Sequence, residues 1–385
     1  MSKLNDLITK LCPDGVQYKK LGEIAVIKKG TQLNKSMLLD DGKYPVLNGG
    51  KGYSGYWNKY NFNGDRIAIS QGGASAGFVT WMKKPFWAGA HCYVIDSSKE
   101  SELRYLFHVI KSHELDYMKA QYGAGIPSLS LKTLSQTEIP LPPLPVREEI
   151  VRILDSFTEL EAELEAELTD RKKQYEYYRD YLLDKNTLEK IDGTAVETKK
   201  LGEVAEIKRG HRVVKKELSK DSNSGYPVYQ NSLKPLGYHT YSNEQAGTPF
   251  VIAAGSAGEI GYSDVDYWGA DDCYSIECDN NTVNGRYIYH ALLFKQYLIK
   301  SQVRRASIPR LSSTVIKHLE LPIPSLATQE RVVDILDRFD ALTTSLTDGI
   351  PAEIAMRREQ YEYCRSRLLD FPRLPDDTAS VSDGE

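Results

Sequence analysis

The stretch KKLGEIAVIKKG at residues 19–30 returns as KKLGEVAEIKRG at residues 199–210. The shift, 199 − 19 = 180, is close to half of the 385 residues. Further pairs follow in the same order, among them YPVLNGG at 44–50 with YPVYQNS at 226–232. The last pair is QYEYYRDYLLD from 174 with QYEYCRSRLLD from 360. Repeats with so constant a shift indicate that the chain is a duplication of about 180 residues.

Charge alternates along each repeat. Residues 1–140 hold 18 Lys and Arg against 12 Asp and Glu, and residues 141–198 hold 8 against 15. Residues 199–320 hold 16 against 13, and residues 321–385 hold 7 against 13. The overall charge of −4 therefore hides two basic blocks, which suit a polyanion, and two acidic blocks, which suit a different partner.

Length and composition limit the classes of protein. A chain of this length holds two domains of ordinary size. It contains no apolar run of 18 residues, and the N-terminal sequence lacks the features of a signal peptide, so we expect no membrane association. Five cysteines, an odd and small number, are typical of a reducing compartment. These features predict a cytoplasmic protein.

Each basic block reads as mixed α and β structure. Short apolar runs such as DRIAIS, FVTWM and HCYVID, with their partners TPFVIAAG and CYSIEC, predict strands bounded by glycine-rich loops. Apolar residues at helical spacing predict a helix at residues 101–121 and another at 284–302.

Each acidic block predicts a long helix. Apolar residues recur near a 3.5-residue period, as in a coiled-coil seam. They are Ile150, Leu154, Phe157, Leu160, Leu164, Leu168, Tyr175, Tyr178 and Leu182, then Val332, Leu336, Phe339, Leu342, Leu346, Tyr361, Cys364 and Leu368. Gly349 and Pro351 should kink or interrupt the second helix. We expect the two helices to pair antiparallel; the alternative is that each packs on its own domain.

The sequence gives no strong catalytic signature. It contains no GxxxxGK[ST] motif and no HExxH motif. Cys273 and Cys278 lie five residues apart in a predicted strand and therefore point to opposite faces, which disfavours a zinc site. His91, His211 and His239 have no matching catalytic partners in sequence. We therefore predict a binding protein without a catalytic or metal site.

The candidate DNA-binding residues lie in basic or glycine-rich loops. Lys and Arg contact phosphates or read guanine, Asn and Gln bridge adenine, and aromatic side chains interleave with them. In the first repeat the candidates are Lys28, Lys29, Lys35, Asn48, Lys51, Tyr53, Tyr56, Trp57, Gln71 and Ser75. In the second they are Lys208, Arg209, Arg212, Lys215, Gln230, Asn231, Lys234, Tyr238, Arg304 and Arg305. The loops differ between repeats while their flanks agree.

The whole chain resembles the specificity (S) subunits of type I restriction–modification systems. The resemblance is carried by the twin KKLGE[IV]A starts, the twin IP.LS boundaries, the twin E.[IV]V.ILD.F helix starts and the ELEAELEAEL segment at 159–168. It implies two target recognition domains, each reading half of a split double-stranded DNA sequence. It also implies two conserved helices that form an antiparallel coiled coil and dock two methyltransferase (M) subunits, through which restriction (R) subunits join.

The resulting expectation is an α+β protein with two duplicated recognition domains joined by two long helices. The expected segments are recognition domain 1 (1–140), the first spacer helix with linker (141–198), recognition domain 2 (199–320), the second spacer helix (321–370) and a flexible tail (371–385). The resemblance implies no cofactor in this subunit; S-adenosylmethionine, ATP and magnesium would belong to its partners. Two alternatives stay open: a stand-alone DNA-binding regulator, and a DNA-modifying enzyme with an unrecognised site. The bases read and the spacer length do not follow from the sequence.

Overall fold

The computed structural model describes residues 2–96, 100–121, 127–279, 281–305, 307–344 and 349–375. The chain divides into two compact units. Unit 1 comprises Met1–Leu164 with Ile354–Glu385, and unit 2 comprises Glu165–Glu353. Each unit therefore contains chain from both repeats.

The elements of the first repeat are α1 (Ser2–Leu11), β1 (Gln17–Lys20), α2 (Leu21–Ile24), β2 (Val26–Lys29), β3 (Tyr44–Leu47), β4 (Gly55–Trp57), β5 (Arg66–Ser70), β6 (Val79–Met82), β7 (Trp87–Ala88), β8 (Cys92–Asp96), α3 (Glu100–Ser112), α4 (Glu114–Lys119), α5 (Leu131–Ser135), β9 (Glu138–Leu141) and α6 (Leu144–Leu182). Those of the second are α7 (Lys185–Asp192), β10 (Glu197–Lys200), α8 (Leu201–Val204), β11 (Ala205–Arg209), β12 (Tyr226–Tyr229), β13 (Gly237–His239), β14 (Phe250–Ile252), β15 (Ile260–Gly261), β16 (Trp268–Gly269), β17 (Cys273–Cys278), α9 (Gly285–Phe294), α10 (Gln296–Ser301), α11 (Ser313–Lys317), β18 (Glu320–Ile323), α12 (Leu326–Thr344) and α13 (Ile350–Leu368).

The duplication extends to the hydrogen-bonded strand order. Unit 1 has a four-stranded sheet β2-β8-β5-β6, a three-stranded sheet β4-β3-β7 and the pair β1-β9. Unit 2 repeats them as β11-β17-β14-β15, β13-β12-β16 and β10-β18. In both three-stranded sheets one pairing is parallel, β3 with β7 and β12 with β16. The predicted α+β architecture is confirmed.

The central strands of each four-stranded sheet are covered on both faces. Ile67, Ala68 and Ile69 of β5 are all buried, as are the three residues of β14. The expected single helix after β8 is instead two, because His113 leaves the helical conformation, and Lys295 does the same after β17. Each turn brings an apolar side chain of the second short helix, Tyr117 or Ile299, into the core.

The long helices pair inside each unit, and the pairing in unit 1 is antiparallel, as predicted. In unit 1, Phe157 on α6 packs on Tyr361 of α13 with ring centroids 6.5 Å apart, and one turn later Glu161 accepts a 2.5 Å bond from Arg358, one turn earlier on α13. In unit 2, Tyr178 of α6 stacks on Phe339 of α12 at 5.2 Å. In unit 1 the contacting residues rise from 157 to 161 on α6 and fall from 361 to 358 on α13, so the two helices run antiparallel.

The second spacer helix is interrupted where Gly349 and Pro351 predicted it, since α12 ends at Thr344 and α13 begins at Ile350. Most seam residues are buried or half-buried, whereas Tyr178 and Leu342 stay exposed. Leu346 lies outside the described residues.

A buried polar cluster of the same composition joins helix to sheet domain in each unit. In unit 1, Asp155 Oδ1 accepts from Arg104 Nε at 2.7 Å and from His108 Nε2 at 2.8 Å. Because a carboxylate only accepts, the proton lies on Nε2, and Nδ1 accepts from the Tyr361 hydroxyl at 3.0 Å. We call these four residues the unit 1 lock. Tyr361 comes from the second repeat, and the other three come from the first.

The unit 2 lock consists of Arg286, His290, Asp337 and Tyr175. Asp337 Oδ1 accepts from Arg286 and from His290, both at 2.7 Å, and the Tyr175 hydroxyl lies 3.1 Å from His290 Nδ1. Tyr175 comes from the first repeat, and the other three come from the second. Tyr175 and Tyr361 hold the same place in QYEY, so each repeat supplies the tyrosine that completes the other repeat's lock.

Burial sets the protonation of both locks. It lowers the pKa of His108 and His290, although the hydrogen bonds to the aspartates oppose that fall. Burial also opposes charge on Asp155, yet the hydrogen bond from His108 and the charge of Arg104 hold the pKa of this carboxyl below its usual value. Each lock is therefore a neutral histidine between a carboxylate and a phenol.

The chain ends of unit 1 also pack. Helix α1 buries Leu4, and Phe371 is buried in the same core. The carbonyl of Phe371 accepts from the Tyr18 hydroxyl at 2.8 Å, and Arg373 pairs with Glu138. The segment expected to be a flexible tail thus begins with packed residues; positions 376–385 lie outside the described residues.

We predict that the free energy of unfolding falls as pH drops below about 6.5, because unfolding lets His108 and His290 take up protons that burial resists. The double variant His108→Phe/His290→Phe should be less stable at pH 8, by about 1 to 3 kcal/mol per site, since Tyr361 and Tyr175 lose their acceptors. Between pH 6.5 and 5 it should lose less stability than the wild type.

Urea denaturation at several pH values measures both effects. The matched control is His91→Asn, because His91 is exposed and outside the locks. An identical pH dependence in the double variant and the wild type would show that the buried histidines do not govern acid stability.

Candidate nucleic-acid interface

The basic loops after β2 and β11 are held by the same backbone contacts. In unit 1, Gly30 N donates to Cys92 O at 2.9 Å and the Trp87 indole donates to Thr31 O at 3.0 Å. A Cβ on Gly30 would lie 2.2 Å from the Gly89 carbonyl oxygen, so only glycine fits here. In unit 2, Gly210, Trp268 and His211 repeat these contacts. The framework therefore presents two equivalent loops.

Two of the predicted phosphate contacts are already ion-paired. Lys28 Nζ lies 3.0 Å from Asp96 Oδ2, and Lys208 Nζ lies 2.5 Å from Glu277 Oε2. The hydrogen bond to Glu277 raises the pKa of Lys208. Asp96 lies on β8, which pairs with β2, 68 residues after Lys28. Glu277 lies on β17, which pairs with β11, 69 residues after Lys208. The equivalent lysines thus have internal partners, which makes Lys29 and Arg212, both exposed, better placed for phosphates.

Three loops of unit 1 bring together the predicted amides. Asn48 Oδ1 accepts from His91 N at 3.4 Å, and Gln71 N donates to His91 O at 2.8 Å. Gln71 Nε2 also donates to Ser128 Oγ at 3.1 Å. Gln71 Oε1 is buried and has no hydrogen-bond partner among the described residues. Asn48 and Gln71 therefore lie on either side of His91.

Unit 2 builds the corresponding place from different side chains. Arg209 Nε donates to Asp271 O at 2.8 Å, and Gln230 Nε2 lies 3.5 Å from Asp271 Oδ1. Asn231 O accepts from Ser256 N at 2.9 Å. The structure thus brings Arg209 and Gln230 to one aspartate and holds the Asn231 loop beside them.

The predicted aromatic residues separate into two groups. Tyr53 and Tyr56 form an edge-to-face pair with centroids 6.2 Å apart and line a cleft beside α3 and α6. Trp57 packs on Trp87 at 4.7 Å, and the residue at its place in unit 2, His239, packs on Trp268 at 4.9 Å. Trp57 therefore belongs to the framework.

The remaining candidates lie on loops and turns. Lys35 and Lys215 each begin a short 3₁₀ turn and are exposed, as is Lys234. Lys51 is exposed, with its ammonium 5.6 Å from the centre of the Phe78 ring. Ser75 and Tyr238 are half-buried.

Arg304 and Arg305 belong to an arginine-rich turn that sequence reasoning predicted only in part. The backbones of Arg304 and Arg310 bond to each other in both directions, at 2.9 and 3.1 Å, and all three arginines are exposed. Ala254 bridges to Arg310 and Gly255 N donates to Pro309 O, which places the turn beside the Gly255 loop. Arg310 was missed, although VRRASIPR carries three arginines where the first repeat, QYGAGIPS, has none.

Two cysteines and two histidines with polar partners are buried in the part of the chain that the structure describes. Burial raises the pKa of Cys92 to about 12 and also raises that of Cys273. His108 and His290 have triad-like partners, but both are fully buried. Within the described ranges no group of three or more His, Cys, Asp or Glu side chains is placed to hold a metal ion. No described helix is long and apolar enough to cross a membrane.

Comparison with known proteins adds the family. The model of the type I restriction modification DNA specificity domain matches residues 13–171 and 194–356. A putative type I restriction enzyme specificity subunit from Haemophilus influenzae is 30% identical over 383 residues, covering 92% of this chain and 96% of that one. The chain belongs to the type I restriction–modification specificity family.

Two further specificity subunits match this chain along nearly its whole length. That of the Escherichia coli restriction enzyme EcoR124I/EcoR124II is 29% identical, covering 97% of this chain and 98% of its own. The crystal structure of an S subunit from M. genitalium has the same fold, with a TM-score of 0.65 at 22% identity over 92% of this chain and 96% of that one. As a specificity subunit, the chain is neither the modifying enzyme nor the stand-alone regulator considered as alternatives.

We predict that Lys29→Ala and Arg212→Ala each lower the magnitude of the slope of log K for duplex DNA against log salt by about 0.9, since one phosphate contact is lost. Lys28→Ala and Lys208→Ala are matched controls and should change it less, because Asp96 and Glu277 already neutralise these lysines. Fluorescence anisotropy of the specificity subunit with labelled duplex between about 50 and 200 mM salt gives the slopes. Equal effects of all four substitutions would show that the internal pairs do not survive DNA binding.

Proposed function

We propose that each unit of this specificity subunit reads one half of a bipartite duplex target, and that its helix pairs dock two methyltransferase subunits, through which restriction subunits join. Each unit then recognises one half of the target. The methyltransferase and restriction subunits carry out the catalysis and use S-adenosylmethionine, ATP and magnesium. The E. coli relative is named as the specificity subunit of a restriction enzyme, which supports the same role here.

The observation that carries the proposal is an identical framework with different loop chemistry. The strand order and the glycine–tryptophan anchors of the two units are the same. At the loop ends, Asn48 stands where unit 2 has Gln230, and Ser128 stands where it has Arg310. Because donors and acceptors on base edges are read by side chains of matching type, the two units suit different base sequences.

The helix pairs offer two equivalent protein-docking surfaces. Tyr177 on α6 and Tyr363 on α13 hold the same place in the repeat and are 66% and 60% exposed. Large aromatic side chains are enriched in protein interfaces. The surrounding blocks are acidic, at 8 basic against 15 acidic residues for 141–198, which disfavours DNA at the same surface.

The test is an exchange of residues 18–140 for the aligned block of a relative with a different target. Both junctions fall at one rung of the β1-β9 pair, where Tyr18 faces Pro140, so the exchange leaves the rest of the sheet pairing intact. The donor block must keep the residues equivalent to Arg104 and His108, which complete the lock. Methylation-aware sequencing with the cognate methyltransferase should show one changed half-site and one unchanged half-site.

The matched control exchanges residues 198–322, whose ends also face each other, Thr198 with Pro322. It should change the other half-site. A folded, active chimera that alters both half-sites, or neither, would contradict the proposal.

A further inference from the structure

A cleft of about 540 Å³ opens in unit 1 on the side of the aromatic pair Tyr53 and Tyr56. It is lined by basic and aromatic side chains from β3 and β4, the end of β6, α3 and α6. They include Lys43, Lys83, Lys84, Arg104, Trp81 and Phe107, with Thr158 at the helix side. Apart from Arg104, which also belongs to the unit 1 lock, these charged and aromatic side chains have no role in the locks.

The two units differ in what they place at the guanidinium of the lock arginine. In unit 2, Arg286 uses Nε for Asp337 and Nη2 for Asp340 Oδ2, the latter at 2.8 Å. In unit 1, Arg104 uses Nε for Asp155, but its Nη2 donates, among the described residues, only to the neutral Thr158 hydroxyl at 3.4 Å. Thr158 and Asp340 occupy the same turn of equivalent helices. Unit 2 thus shows that the Nη2 side of this arginine can donate a hydrogen bond to a carboxylate oxygen. In unit 1 the same side has no carboxylate from the described residues and can donate to an oxyanion of a bound ligand.

The other charges of the cleft change in the same direction. The register of β6 against β5 and of β15 against β14 places Lys83 and Lys84 where unit 2 has Asp264 and Val265. Both lysines are exposed, as is Lys43 on the facing loop. Unit 1 therefore has three lysines and the Nη2 atom of Arg104 around one cavity. Unit 2 instead has Asp264 at the position of Lys83 and Asp340 at the position of Thr158.

Aromatic side chains provide the rest of the cleft. The guanidinium of Arg104 covers Trp81 and Phe107 at 4.7 and 4.8 Å from their ring centres. Tyr53 is 53% exposed, and it meets Tyr56 edge to face. A planar ring stacked on a tyrosine, joined to an anionic group, matches this arrangement, since bases stack on aromatic side chains and phosphates take charge-assisted bonds from arginine and lysine.

We propose that this cleft binds a nucleotide, with its phosphate at Arg104 Nη2, Lys83 and Lys84 and its base against Tyr53 and Tyr56. The nucleotide comes either from solution or from a DNA strand, and the chemistry of recognition is the same for both. The proposal does not depend on the assignment of half-sites, because its test uses the specificity subunit alone.

The test is isothermal titration with adenosine 5′-monophosphate. The wild type should bind it, and inorganic phosphate or adenosine alone should bind more weakly, because each fills half of the cleft. Thr158→Asp copies Asp340 from unit 2 and supplies an internal carboxylate to Arg104; it should weaken nucleotide binding at least about tenfold. Its melting temperature should not fall, since unit 2 is built with this residue.

Two further variants keep the test sharp. Thr158→Asn is neutral and similar in size to Asp, and it should bind as the wild type does. Lys83→Asp/Lys84→Val copies the other unit 2 residues and should also weaken nucleotide binding.

Displacement of the nucleotide by duplex DNA would identify a DNA nucleotide as the ligand, and its retention would identify a free nucleotide. A wild type that binds no nucleotide at millimolar concentration, or a folded Thr158→Asp variant that binds as the wild type does, would overturn the proposal.

Discussion

The contact of each repeat's tyrosine with the other repeat's histidine is the constraint on which the fold depends. Tyr361 reaches His108 and Tyr175 reaches His290, and in each case an aspartate on the adjoining helix fixes the histidine proton. Buried polar networks stabilise a structure only when every member has its partner. Neither repeat can satisfy its lock alone, because its own tyrosine lies in the other lock. Each compact unit is therefore completed by chain from both repeats.

The locks also explain how loops can diverge while the framework persists. The strands, the anchored glycines and the buried histidines hold the same positions in both units, so the loop ends meet at equivalent places whatever side chains they carry. A change such as Ser128 against Arg310 alters the chemistry offered to a ligand without a change in the core. The chemistry of the loops and the stability of the framework thus rest on different residues.

Periodic patterns in the sequence predicted the architecture. Contacts between residues distant in sequence could not be predicted in this way. The duplication, the strands such as Arg66–Ser70, the helix seam and the interruption at Gly349 all follow from local spacing. The pairing of Lys28 with Asp96 does not, because it depends on which strand lies beside β2. The locks were missed for the same reason, although RYLFH and RYIYH repeat their Arg and His at one helical spacing and ILD repeats their Asp. The cleft that Tyr53 and Tyr56 line with residues of α3 and α6 likewise depends on contacts distant in sequence.

The most direct test of interdependent halves is the mass of a half-chain of residues 1–198, measured by sedimentation velocity. This fragment keeps Arg104, His108, Asp155 and Tyr175 but lacks Tyr361. The account predicts a twofold dimer in which Tyr175 of each copy takes the place of Tyr361 on His108 of the other, and Tyr175→Ala should abolish that dimer. A folded monomer with the stability of unit 1 in the full chain would contradict it.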